Sequence, residues 1–68
     1  MKIIVNGEST ELEPGATVLD VIERVGRDPS VRGVAVALNG QVVPRSSWNE
    51  TQVSEEDRVE VLSAVQGG

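Results

Sequence analysis

Asn-Gly occurs twice in this 68-residue chain, at Asn6-Gly7 and at Asn39-Gly40, each time between two short β-rich runs. A two-residue hairpin turn that matches the twist of its strands needs positive φ at both central positions, which Asn tolerates and Gly adopts without steric cost. The dipeptides therefore predict two hairpins: Lys2 to Val5 with Glu8 to Leu12, and Val34 to Leu38 with Gln41 to Val43. Pro14-Gly15 ends the first and Pro44 the second. Glu8 to Leu12 is the more polar strand and belongs at or near an edge. A polar turn over Ser54 to Asp57 leads into a last strand, Arg58 to Leu62.

Between the hairpins the apolar period changes. Val18, Ile22 and Val25 fall at i, i+4 and i+7, and Leu19 and Val21 widen that stripe, so Thr17 to Val25 is expected to be a helix. Thr17 can cap it, with Asp20 three residues on completing a capping box and placing an acid in the first turn. Gly26 is placed to end it. Asp20 with Arg24 and Glu23 with Arg27 have the spacing of ion pairs on the outer side. Arg27 to Gly33 reads as a loop turning at Asp28-Pro29. Arg45 to Gln52 reads as irregular, with a short helical turn near Ser46 to Asn49.

The order strand, strand, helix, strand, strand, strand implies an α+β domain: a mixed sheet of about five strands with one main helix packed on one face. Alternation along the strands sends Ile3, Val5, Val36, Leu38, Val59 and Val61 toward the helix. Ile4, Ala35, Ala37 and Leu62 then point to the open face. Aliphatics scattered singly over a surface are ordinary. Gathered on one open face, these four make a candidate docking patch.

One small domain must hold itself together with this material. The chain has no cysteine, so no disulfide can staple it, and no histidine to join a zinc site. Trp48 is the one aromatic residue, expected to close one end of an aliphatic core. The same absences exclude nucleophilic triads, zinc catalysis and thiol redox chemistry in their usual forms, and leave no catalytic residue to name. Glu55-Glu56-Asp57 is read as a solvated turn, because three adjacent residues do not converge enough oxygens on a divalent ion; no metal site is expected. No Walker-type loop is present to bind ATP.

Eleven acids against six bases give a net charge of −5. That disfavours nucleic acid and anionic membrane as partners and suits a basic protein surface. It also serves simple solubility. No apolar run reaches membrane-spanning length, and the stretch from Met1 to Asn6 is too short for a signal peptide, so a cytoplasmic location is expected. Asn49-Glu50-Thr51 matches the glycosylation acceptor by chance in that setting.

The sequence closes on Gly67-Gly68. Two residues without side chains can enter a slot too narrow for a Cβ, and they leave the terminal carboxylate unhindered. Terminal glycines are also common where a chain simply frays. On the first reading, 1–62 is the folded domain and 63–68 a flexible tail offered to partner enzymes.

The run Ala37-Leu38-Asn39-Gly40-Gln41-Val42-Val43-Pro44-Arg45, then Trp48, then Asp57-Arg58-Val59-Glu60-Val61-Leu62 and the closing Gly67-Gly68 resembles the ThiS family of sulfur carriers in thiamine biosynthesis. Met1 to Gly7 and Val18 to Ile22 are similar to it as well, so the likeness spans the chain. The resemblance implies a ubiquitin-like β-grasp fold, related to that of the molybdopterin synthase small subunit. It also implies a chemistry. A ThiF-like adenylyltransferase would use ATP to activate the Gly68 carboxylate. Sulfur from the persulfide of a cysteine desulfurase would replace AMP, and the resulting thiocarboxylate would serve thiazole synthase, ThiG. No cofactor would be bound by the chain itself. Gly68 would be the sulfur-carrying position and Gly67 its permissive neighbour, with Ile4, Ala35, Ala37 and Leu62 as candidates for docking. A lone cysteine-free domain has its C-terminal carbonyl as the place to hold transferable sulfur.

Other readings share the same tail. A sulfur carrier for molybdopterin, cysteine or transfer-RNA thiolation would need it equally. A ubiquitin-like protein modifier would join Gly68 to a lysine, although Lys2 is the only lysine on which chains of it could grow. A plain interaction domain would leave the tail inert.

Overall fold

The computed structural model describes residues 1–29 and 32–63. Its elements are β1 (Lys2–Val5), β2 (Glu8–Glu11), α1 (Val18–Arg24), β3 (Val34–Leu38), β4 (Gln41–Val43), a 3-10 turn (Arg45–Ser47) and β5 (Arg58–Ser63). Both Asn-Gly steps form the turns expected of them. Asn6 and Gly7 have φ of 50° and 83°, Asn39 and Gly40 of 51° and 87°, as a type I′ turn requires. The pairs Val5–Glu8 and Leu38–Gln41 close the hairpins directly on these turns.

The five strands form one sheet in the order β2-β1-β5-β3-β4. The last strand is thus the central one, parallel to β1 and antiparallel to β3. It joins two hairpins that do not touch each other through the ladder. Each turn asparagine adds a clamp on β5. Asn6 Oδ1 accepts the Val61 N–H at 2.8 Å and its Nδ2–H donates to the Val61 carbonyl at 3.2 Å. A side-chain amide thereby extends the β1–β5 ladder beyond the end of β1. Asn39 Oδ1 accepts the Arg58 N–H at 2.9 Å, and its Nδ2–H donates to Asp57 Oδ1 at 3.1 Å. Sequence reasoning assigned both residues to turns alone.

The helix α1 lies against the inner face of the sheet. Ile3, Val36 and Val59 from the strands and Val18, Val21 and Ile22 from the helix are fully buried together. Leu38 packs against that core while partly exposed. Thr17 is the N-cap in a reciprocal capping box with Asp20. At the other end the Gly26 N–H donates to the Glu23 carbonyl and the Arg27 N–H to the Ile22 carbonyl, with Gly26 at φ 81°, a Schellman ending. The Asp20 carboxylate turns back to the Thr17 backbone and hydroxyl. Neither Asp20–Arg24 nor Glu23–Arg27 is among the ion pairs of the described residues.

Trp48 closes one end of the core, 3% exposed, and its Nε1–H donates to the Val43 carbonyl at 2.9 Å. The Arg45 guanidinium lies 4.6 Å from the ring centroid and donates to the Pro29 carbonyl, tying the α1–β3 loop to the 3-10 turn.

Candidate functional site

Directly paired residues on neighbouring strands share a face of the sheet. On the face away from α1, beyond a charged row of Lys2 with Glu11, the registers give three further rows. Ser9, Ile4 and Arg58 form the first. Glu60, Ala37 and Val42 form the second, and Leu62 with Ala35 the third. Rows stand about 7 Å apart, two residues along a strand. Ala35, Ala37 and Leu62 are brought together as the alternation required, and Leu62 is 66% exposed. Ile4 is on the same face but is partly buried and separated from that cluster by Arg58 and Glu60. Val42, 76% exposed, completes the apolar group by pairing with Ala37. Sequence reasoning missed it, although the two-residue turn at Asn39-Gly40 already sets Val42 opposite Ala37.

The open face runs along β5 in the direction of its C-terminal end. β5 continues through Ser63, which pairs with Val34. The expected tail residues Gly67 and Gly68 lie outside the described residues, so their geometry forms no part of this site.

A depression of about 260 Å³ sinks into the face between the two hairpin turns, lined by Ile4, Gly7, Asn39, Gly40, Arg58 and Glu60 with Val59 at its floor. A larger concavity, about 670 Å³, lies at the opposite end of β5 from the tail and is lined in part by Met1, Glu11, Leu12, Asp20 and Arg24. There the Met1 ammonium donates to Glu11 Oε2 at 2.8 Å and to the Leu12 carbonyl at 2.9 Å. The hydrogen bond between them, and then the attraction of their charges, raises the amine above its ordinary pKa and lowers the carboxyl. These contacts close the first hairpin and hold no reacting group.

The acidic turn is structural. Glu55 accepts the Lys2 N–H with both oxygens at 3.2 Å, Glu56 pairs with Lys2 Nζ at 3.3 Å, and Asp57 accepts the Ser54 N–H at 2.7 Å. Among the described residues no group of acids is arranged to hold a metal ion, and no helix is long and apolar enough to cross a membrane.

The ThiS family profile matches residues 3–68. The chain belongs to the ThiS family. Its likeness to the sulfur carrier protein ThiS of Escherichia coli is 31% identity over 68 residues, covering both chains completely. A thiazole synthase of Paramagnetospirillum magneticum is 34% identical over the same 68 residues, of which this chain spans only 20% of the length. Among solved structures, the crystal structure of the thiamine biosynthesis protein ThiS from Geobacter metallireducens superimposes with a TM-score of 0.78 at 28% identity, covering all of both chains. The fold is thus the ubiquitin-like β-grasp of the ThiS family. Within that frame, β5, ending at Ser63, is the element that lies nearest in sequence to the diglycine.

Proposed function

We propose that this chain carries sulfur as a thiocarboxylate on Gly68 for assembly of the thiazole ring of thiamine. The observation that carries the reading is the ThiS-family match through residue 68, Gly67-Gly68 included. The Gly68 carboxylate attacks the α-phosphate of ATP on a ThiF-like adenylyltransferase, releasing pyrophosphate and leaving an acyl-adenylate. The terminal sulfur of a persulfide on a cysteine desulfurase, or on a carrier it loads, attacks the acyl carbon and displaces AMP. A second thiol then attacks the donor-side sulfur, forms a disulfide with it and frees the thiocarboxylate. A chain without cysteine offers no side-chain thiol to compete for that sulfur.

Thiazole synthase is the receiving partner, a reading supported by thiazole synthases in which a segment like this chain occupies about a fifth of the polypeptide. Ala35, Ala37, Leu62 and Val42, with Ile4 at the margin, form the face on which these enzymes dock. Adenylation and persulfide transfer place the process in the cytoplasm, where ATP and reduced thiols are available.

Intact mass tests the reading. The 68-residue chain is incubated with a ThiF-type adenylyltransferase, ATP, a cysteine desulfurase, cysteine and a thiol. Exchange of one oxygen for sulfur at the C-terminus is expected, and a variant with one residue added after Gly68 stays unchanged. Sulfur incorporation into the extended chain, or an isopeptide adduct to lysine in place of the exchange, overturns the reading.

A further inference from the structure

The open face carries two charges where a docking partner must cover it. Arg58 and Glu60 follow each other along the central strand, both exposed, between Ile4 on one side and Ala37 with Val42 on the other. Among the described residues neither is ion-paired: the ammonium groups of Met1 and Lys2 take Glu11 and Glu56. A covered charge loses its water, and without a counter-charge that loss opposes association. A surface that fits here therefore brings an acid to Arg58 and a base to Glu60.

The depression they line is about 260 Å³, with Gly7 and Gly40 on its rim. It lies below the size of ordinary small-molecule sites, so a single inserted side chain matches it better than a free ligand. The charges are also ordered. Toward the tail, the outward residues of β5 read positive at Arg58, negative at Glu60 and apolar at Leu62. A partner docked backwards would set like charges together, which is how interfaces reject wrong arrangements. The net charge of −5 attracts a basic surface from any direction and carries no such polarity.

We infer that Arg58 and Glu60 are an ordered charge pair that sets the direction in which thiazole synthase docks on the open face, with apolar side chains of the enzyme covering Val42 and Leu62. The inference rests on the docking reading above and adds to it the chemistry of the matching surface: an acidic and a basic group in sequence beside an apolar patch.

The experiment is calorimetric titration of the 68-residue chain into thiazole synthase of the same organism, at low and high salt. The double variant Arg58→Glu with Glu60→Arg keeps the net charge and reverses the order. It is expected to bind at least tenfold more weakly at low salt, with the deficit shrinking as salt screens the charges. Arg58→Gln and Glu60→Gln are each expected to weaken binding about threefold, and they carry the test should circular dichroism show the double variant unfolded. Leu62→Asp probes the docking reading separately. Loss of binding in Leu62→Asp with wild-type affinity in the charge variants overturns the charge pair and leaves docking standing. Wild-type affinity in all variants, or no binding by the wild-type chain, overturns both docking and the charge pair, whereas sulfur loading of Gly68 stands or falls by its mass.

Discussion

Asn6 is at once a turn residue and a strand residue. Its backbone sits at φ 50°, where most side chains are strained, and its amide makes both ladder bonds to Val61. Replacement by Ala removes two hydrogen bonds and keeps the strained conformation. The expected loss is about 3–4 kcal/mol, taking about 1 kcal/mol for each bond and about 1–2 kcal/mol for the left-handed backbone. Urea unfolding of Asn6→Ala checks it. The turn was legible because Asn-Gly is a local signal. The clamp was not, because its partner is 55 residues away in sequence.

At the scale of elements, the short pieces persist because their ends are tied. The seven-residue α1 is far too short to hold in isolation and depends on its caps and its buried stripe. The first hairpin is closed by the Met1 ammonium on Glu11 at its open end. The pH dependence follows in sign. Glu11 is lowered from 4.5, so its contribution is present above that value and is lost as pH falls through the lowered pKa. The Met1 amine is raised from 8.0, so its contribution is present below that value and is lost as pH rises through the raised pKa. Between 4.5 and 8.0 the pair acts in full. The difference in denaturation midpoint between the wild-type chain and Glu11→Gln is therefore expected to be largest in that window and to shrink on both sides. Midpoints measured from about pH 3 to about pH 10 test it.

Across the whole molecule, one core carries everything. A 68-residue domain has about 3–10 kcal/mol of stability to lose. Ile22 is fully buried at the contact of helix and sheet, so Ile22→Ala is expected to remove about 2–5 kcal/mol, a large share of that total. Trp48 reports the outcome, being the only aromatic residue and 3% exposed. Its fluorescence and the far-ultraviolet circular dichroism are expected to change in one coincident transition, shifted to lower denaturant in the variant. Separate transitions would mean that the Trp48 end of the core melts on its own.

The sequence by itself determined what depends on near neighbours: the two hairpin registers through Asn-Gly, the caps of α1 through Thr17, Asp20 and Gly26, and the outward direction of Ile4, Ala35, Ala37 and Leu62 through alternation. The diglycine and the Val-Pro-Arg segment brought the ThiS family within reach. Tertiary structure alone decided how the two hairpins and the last strand are arranged in one sheet. Pairing β5 between β1 and β3 joins segments far apart in the chain, and nothing local selects those partners. That choice gathered Val42, Ala37, Ala35 and Leu62 into one patch, set Arg58 and Glu60 between it and Ile4, and turned two hairpin asparagines into clamps on the central strand.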